Sequence, residues 1–268
     1  MRERAMVLQD KVAVIYGAGG AVGSAVARAF AREGGKVFLT GRRRGSVEAV
    51  ANEIRSAGGH AEAEEIDALN EQAIDSHLQS VIDRAGHIDI SFNAVGIPNT
   101  TLQGLPLVEI AAEQFSLPIA TYTRSYFLTA RLAARRMLLR QSGVIMTVTA
   151  LPSRAGIPLL GGFAPSQAAV EALTRGLSAE LAPKGIRVLG LRPDGMPETN
   201  TIKEVFGIHA RAWGLSWEQF SDMVASKNHP RRLATLAELA NVAVFMASDA
   251  ASAMTGTVVN LSMGSLDD

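Results

Sequence analysis

The residues best able to do chemistry begin with Gly17-Ala18-Gly19-Gly20-Ala21-Val22-Gly23, which lies between the apolar run Val12 to Tyr16 and an amphipathic stretch. Glycines in such a loop permit a tight turn and let backbone N–H groups approach a pyrophosphate, which the positive end of the following helix stabilises. The alternative is a strand-to-helix turn that binds nothing. A second group is Leu39-Thr40-Gly41-Arg42-Arg43-Arg44, at the end of the next apolar run. A carboxylate there would accept hydrogen bonds from the ribose 2′-OH of NAD, whereas a guanidinium would pair with the 2′-phosphate of NADP. Arginines without a carboxylate favour NADP(H) over NAD(H), with Arg42 and Arg43 as the contacts; a solvated basic turn is the other reading. A third group is Tyr122 and Tyr126, one helical turn apart, whose phenols on a shared face can protonate an enolate or alkoxide. Packing in the core or at a subunit contact competes with that role.

The surrounding elements must position these groups. Apolar runs predict strands at Val12 to Tyr16, Lys36 to Thr40, His60 to Ile66, Ile88 to Asn93, Gly143 to Thr149, Arg187 to Leu191 and Thr257 to Leu261. Amphipathic stretches predict helices at Ala21 to Arg32, Ser46 to Ser56, Asn70 to Arg84, Leu117 to Arg140 and Ser166 to Ala182. This alternation predicts an α/β, Rossmann-like doubly wound sheet of about seven mostly parallel strands with helices on both faces. Without an internal repeat or a linker rich in Pro, Gly or Ser, residues 1–268 read as a single domain. The segment Pro193 to Pro230 interrupts the alternation and carries Phe206, Trp213, Trp217, Phe220 and Met223 at helical spacing. It reads either as a substrate lid over about 194–230, at the carboxyl edge of the sheet, or as a helical pair closing the core.

Composition narrows the function classes. Hydrophobic residues make up 47% of the chain, enough for a sheet covered on both faces. Lys+Arg and Asp+Glu are each 26, so there is no basic footprint for nucleic acid or a membrane surface. No run approaches the roughly 20 apolar residues of a membrane span. The segment Met1 to Asp10 lacks the apolar core of a signal peptide. The absence of cysteine removes disulfide and thiolate chemistry and fits a reducing, cytoplasmic location. No His/Asp/Glu cluster has metal-ligand spacing.

From about Lys11 to Gly264, the order of these features resembles the short-chain dehydrogenase/reductase family. That family's loop reads Thr-Gly-x-x-x-Gly-x-Gly; here Tyr16 stands at the Thr, Gly17 and Gly23 match, and Ala21 replaces the middle glycine. The resemblance puts Asp67 at the aspartate that contacts adenine, and Asn93-Ala94-Val95-Gly96 at the family's Asn-Asn-Ala-Gly. A strand-end turn and a brace of the sheet are the plainer roles for Asp67 and Asn93. Leu191-Arg192-Pro193-Asp194-Gly195-Met196-Pro197-Glu198-Thr199 resembles the Pro-Gly segment behind the nicotinamide, with Thr199 near the carboxamide-binding threonine. Asp194 and Glu198 also suit a turn and a helix cap.

The resemblance also identifies what is missing. The family's serine, tyrosine and lysine fall at Ala150, Phe163 and Gln167. In the family the tyrosine moves the substrate proton, the lysine binds the ribose and lowers the phenol pKa, and the serine holds the substrate oxygen. Phe163 fills the ring's space without a titrating group, and Gln167 can bond a ribose hydroxyl but brings no charge. Tyr122, near the family's supporting asparagine, and Tyr126 are the candidate substitutes. Thr149, Ser153 and Ser166 offer hydroxyls with no base nearby in sequence, and His209 is a lone imidazole in the lid segment. Ala168, Ala172, Gly176 and Ala179 form a small-residue stripe like that of the helix pairing across the family's dimer axis, which implies a homodimer or homotetramer. The expected function is an NADP(H)-binding oxidoreductase acting on a small carbonyl or enone with an atypical proton donor. The alternative is a catalytically silent nucleotide-binding sensor, scaffold or partner subunit, and a third is a non-redox enzyme using the pocket alone.

Overall fold

The strands are β1 (Val12–Tyr16), β2 (Lys36–Gly41), β3 (His60–Glu65), β4 (Ile90–Asn93), β5 (Gly143–Val148), β6 (Ile186–Pro193) and β7 (Val258–Leu261); the inner ones are largely buried, while the edge strands β3 and β7 are mostly half-buried. They form one parallel sheet in the order β3-β2-β1-β4-β5-β6-β7. The computed structural model describes residues 6–267; residues 1–5, where the N-terminal segment begins, and Asp268 lie outside the described residues. The sheet is covered by α1 (Ala21–Arg32), α2 (Arg44–Ser56), α3 (Glu71–Ala85), α4 (Ala112–Met137), α5 (Phe163–Leu181) and α8 (Leu236–Ala247). The strand order reverses between β1 and β4, and the crevice beyond the strands' carboxyl ends at that point is where such sheets bind ligands.

The two-residue period of a strand sorts β1 into two cores. Ala13 and Ile15 face α1 and α8 with Val26, Phe30, Leu239 and Ala243, while Val12, Val14 and Tyr16 face α3 and α4 with Leu78, Val81, Tyr126 and Ala133. Local signals set several helix ends. Asn70 accepts from the Ala73 amide at 3.1 Å to start α3, and Gly86 closes it in the left-handed region at φ 84°. A capping box pairs Thr235 with Glu238 at the start of α8. At the other end, the Arg187 guanidinium donates to the carbonyls of Met246, Ala247, Ser248 and Ala251, joining β6 to the carboxyl end of that helix.

Some boundaries differ from the sequence expectation. The α4 helix starts five residues before Leu117, because it nucleates at Ala111 and carries Pro118 in its second turn. The α5 helix begins at Phe163 rather than Ser166, and Gly162 allows it to do so. A Cβ at Gly162 would lie 1.8 Å from the Phe115 carbonyl oxygen of α4. This close approach brings the α5 start against the first turns of α4. The β6 strand extends to Pro193 because Arg192 and Pro193 pair with Asn260 and Leu261 of β7.

Residues 193–230 fold as the helical pair α6 (Asn200–Ala212) and α7 (Trp217–Ala225). The pair has its own apolar cluster of Phe206, Ala210, Phe220 and Leu233, separate from the two cores that flank the sheet. Phe206 and Phe220 meet edge to face at 5.2 Å, Trp213 packs on Phe220 at 5.8 Å, and the Trp217 indole N–H donates to the Lys203 carbonyl.

Candidate active site

The glycine loop has a geometric need for its glycines. Gly17 takes φ 72°, and a Cβ there would lie 2.5 Å from the Ala94 carbonyl oxygen. A Cβ at Gly23 would lie 2.4 Å from the Gly17 carbonyl oxygen. The Ala18 amide donates to Thr40 of β2, and Gly20 to Gly17, folding the loop tightly over the sheet. Gly19, Ala21 and Val22 complete the turn into α1. Gly20 is the N-cap of α1, no side chain caps it, and no acidic residue lies in the first turn. An uncapped helix start preceded by a tight glycine turn fits a pyrophosphate.

Arg42 and Arg43 are exposed beyond β2, and neither forms an ion pair with a described residue. The neighbouring Glu65 carboxylate accepts from the Arg44 backbone amide at 3.3 Å. Asp67 accepts from the Leu69 amide at 3.0 Å, so its carboxylate shapes the turn after β3. Asn93 donates to Ser125 and Thr129 of α4 and accepts from the Val95 amide, which makes it the brace between β4 and α4. Gly96 is exposed with open space around a built Cβ. Pro193 is buried at the end of β6. Thr199 is buried as the N-cap of α6, accepting from Ile202 and donating to Met196. Asp194 accepts from the Gly195 amide at 2.7 Å, and burial pushes its carboxyl up while that amide and Lys227 oppose the shift. Glu198 accepts from Leu236 at the start of α8.

Of the positions that the sequence resemblance assigns to catalysis, Ala150 follows β5 and Phe163 opens α5. Gln167 is buried one turn on and donates to the Ser166 hydroxyl at 3.1 Å, while Ser166 donates to the Phe163 carbonyl at 2.6 Å. The two tyrosines of α4 separate. Tyr122 packs edge to face on Phe163, ring centroids 5.9 Å apart. Its hydroxyl oxygen accepts from the Ile97 amide at 3.4 Å, and its own proton is donated to no described residue. Burial pushes this phenol up, and the Ile97 hydrogen bond opposes the shift.

Tyr126 does not share that environment. It is 1% exposed in the core between the sheet, α4 and α5, where its hydroxyl accepts from Thr174 at 3.2 Å and burial raises its pKa. One turn along α4, the packing of α5 has taken the second phenol inward. Of the two readings the sequence left open, Tyr126 thus takes core packing and not a site-facing surface shared with Tyr122, which leaves Tyr122 as the phenol beside Phe163. His209 on α6 is also buried, stacked on Phe220 at 5.9 Å, and burial pushes its pKa down.

The hydroxyls without a base in sequence acquire a carboxylate in space. Glu171, 2% exposed on α5, accepts from Thr149 at 3.1 Å and from Ser153 at 2.5 Å. Arg192 of β6, 3% exposed, donates to both Glu171 oxygens at 2.8 and 3.1 Å. Burial opposes ionisation of Glu171, but the Arg192 hydrogen bonds and charge, with those of Ser153 and Thr149, hold its carboxyl below the ordinary value. A carboxylate so engaged is a poor general base; it fixes the floor of the site. Sequence reasoning passed over this pair, although an arginine inside the apolar run Val188 to Pro193 and a glutamate one turn beyond Gln167 were its visible signals. Among the described residues no group of His, Cys, Asp and Glu has metal-binding geometry, and no helix is long and apolar enough to cross a membrane.

Comparison with known proteins agrees with this fold. A family model described as enoyl-(acyl carrier protein) reductase matches residues 17–265. The uncharacterized oxidoreductase YxbG of Bacillus subtilis (strain 168) is 31% identical over 93% of this chain and 88% of its own. A crystal structure of NAD+-bound xylitol dehydrogenase superposes with a TM-score of 0.90 at 24% identity, covering 96% of this chain and 99% of that one. An actinorhodin polyketide ketoreductase variant with NADPH gives 0.87 at 25% identity, over 95% and 97% of the two chains.

The buried ion pair yields a measurable pH dependence. Glu171→Gln removes the carboxylate that Arg192, Thr149 and Ser153 bond and is expected to cost about 3–5 kcal/mol at neutral pH in urea unfolding. Because the folded pKa of Glu171 is depressed, the pair's contribution is fully present above the ordinary value of 4.5 and is lost as pH falls through the lower folded value. The stability gap between the two proteins should therefore narrow in acid. A gap that stays constant into acid would show that ionised Glu171 does not hold the site floor.

Proposed function

Because this chain belongs to the short-chain dehydrogenase/reductase family of oxidoreductases, we propose that it is an NADP(H)-dependent reductase of a small carbonyl or enone-type substrate, with Tyr122 as proton donor. The observation that carries this reading is the Tyr122 phenol packed against Phe163 with its proton uncommitted. Bound NADPH supplies a hydride. The loop from Gly17 to Gly23 and the start of α1 hold the pyrophosphate, and Arg42 and Arg43 hold the 2′-phosphate. Asp67, Asn93, Gly96, Gln167, Pro193 and Thr199 border the remainder of the nucleotide site. The NAD+ and NADPH named for the two solved structures support a nicotinamide cofactor, and the two free arginines favour the phosphorylated form.

Burial keeps Tyr122 protonated at neutral pH, and Gln167 brings no cation to release that proton. Tyr122 therefore suits protonation of a substrate atom that has become anionic, and it is a poor base for alcohol oxidation. Reduction is the favoured direction. Ala150 and Phe163 present a methyl and a phenyl where the family has two hydroxyls, which favours an apolar substrate. The same two positions, with Gln167, support a second reading: a protein that binds the nucleotide without turnover and serves as a sensor, scaffold or partner subunit.

The protein acts in the cytoplasm as a homodimer or homotetramer in this proposal. Ala172, Gly176 and Ala179 lie exposed on α5, open space surrounds a built Cβ at Gly176, and Leu117 and Phe127 are exposed on the adjoining α4.

Three measurements test the proposal. Tyr122→Phe should lower turnover in a carbonyl and enone screen by about 10²–10⁴-fold while NADPH still binds by fluorescence titration; full activity in that variant would remove Tyr122 as donor. NADPH binding with no turnover by the parent protein would favour the silent reading. Arg42→Ala with Arg43→Ala should weaken NADPH binding by about 1.5–3 kcal/mol per lost charged hydrogen bond and leave NADH nearly unchanged. Equal loss for both nucleotides would count against a 2′-phosphate site. Sedimentation should show an oligomer that Gly176→Glu dissociates; a monomeric parent protein would sink the assembly.

A further inference from the structure

Helix α6 of the 193–230 segment reaches the Tyr122 phenol through a run of buried polar groups. His209 Nε2 lies 3.2 Å from the Gln103 Oε1 oxygen. Gln103 donates its amide to Asn99 Oδ1 at 2.9 Å, and Asn99 donates to the Ile97 carbonyl at 3.4 Å. The Ile97 amide then donates to the Tyr122 hydroxyl oxygen at 3.4 Å. Asn99, Gln103 and His209 are 3%, 5% and 2% exposed, so water cannot readily replace their partners.

The chain of groups has directional sense. With Gln103 Oε1 as acceptor, His209 must carry its proton on Nε2, and burial pushes the imidazole pKa down, which favours the neutral ring. The Gln103 and Asn99 amides then point the same way along the loop. Packing reinforces the link. Gly104 takes φ 97°, a Cβ there would lie 2.6 Å from Ile208 Cγ2 on α6, and its amide donates to the Leu159 carbonyl. The loop from Ile97 to Gly104 is thus pressed between α6 and the segment that leads into α5.

We propose that His209 is a positioning residue that acts through Gln103 and Asn99 to hold the Ile97 amide against the Tyr122 phenol, so that the seating of α6 aligns the proton donor. The proposal rests on Tyr122 being that donor. It gives the lone histidine and its two buried amide partners a joint task, and it gives the phenol a fixed hydrogen-bond donor at a centre whose lysine position holds Gln167. A substrate that seats α6 more firmly would set the phenol through the same groups.

The test labels the full-length protein with 3-fluorotyrosine, which gives fluorine resonances for Tyr16, Tyr122 and Tyr126, the chain's 3 tyrosines. Tyr122→Phe assigns the signal of interest. His209→Leu and, separately, Gln103→Leu are expected to move the Tyr122 resonance and leave those of Tyr16 and Tyr126 in place. His209→Gln, which restores a side-chain N–H donor, is expected to return it toward the parent position. Gln103→Leu leaves the aromatic cluster of α6 and α7 intact, so it serves if His209→Leu does not fold. Emission from Trp213 and Trp217, the chain's 2 tryptophans, reports on the helical pair independently. An unmoved Tyr122 resonance in both leucine variants overturns the proposal, as does equal movement of all the tyrosine signals. Turnover by Tyr122→Phe separates the two ideas: undiminished turnover removes the donor reading while the fluorine coupling stands, and lost turnover with no coupling removes only the positioning role.

Discussion

The Glu171–Arg192 ion pair adds a side-chain tie between α5 and β6 to the backbone pairing that already joins β5 to β6. It ties the middle of α5 to the end of β6, and through Thr149 and Ser153 it captures the chain as it leaves β5. Those three segments carry Ala150, Phe163, Gln167 and Pro193, the floor and back of the candidate site. Removing two charges from water is costly, and a buried pair often contributes little net stability over an apolar replacement. Its contribution here is geometric. Both carboxylate oxygens and both hydroxyls are engaged, so the segments have one low-energy arrangement, and slipping any of them would leave a charge or a hydroxyl buried without a partner.

This division explains what could be read in the sequence. The alternation of apolar and amphipathic runs set the strands and most helices, because a parallel sheet covered on both sides writes itself as continuous apolar runs. The glycine loop was legible for a local reason, since Gly17 and Gly23 are required by contacts within a few residues or with the adjacent strand end. The position of Arg42 and Arg43 at the exposed end of β2 was legible because they follow a strand directly. The ion pair was not, since Glu171 and Arg192 lie on different elements and neither residue's local sequence names the other as its partner. For Tyr126 the sequence left core packing and a site-facing role both open, for the same reason. Its spacing from Tyr122 is right for one helix face, yet the packing of α5 over that turn decides which phenol is enclosed.

Ala150, Phe163 and Gln167, which the sequence resemblance sets at the family's hydroxyl, phenol and ammonium positions, sit within a tightly braced frame. Gly162 still permits the close contact between α4 and α5, Asn93 still braces β4 to α4, and the ion pair still holds the turn after β5. A site abandoned by its chemistry has no need of the polar groups buried beside it. Asn99, Gln103 and His209 nonetheless remain buried and satisfied by one another next to the phenol that contacts Phe163.

The chemistry of a phenol at this position differs from that of the family's tyrosine in a way that bears on direction. A cation beside a phenol stabilises the phenolate and lets the same group act as acid or base. A single backbone amide is a weaker aid, because it offers a dipole in place of a full charge, and burial works against the anion. The balance leaves a group that holds its proton firmly and yields it to a much stronger base. An enolate or alkoxide is such a base, whereas an alcohol to be oxidised needs a phenolate already formed. Under the proposed reaction, exchanging a flexible lysine for a loop amide would move control of the donor from one side chain to the seating of a loop, and hence to the helix that presses on it.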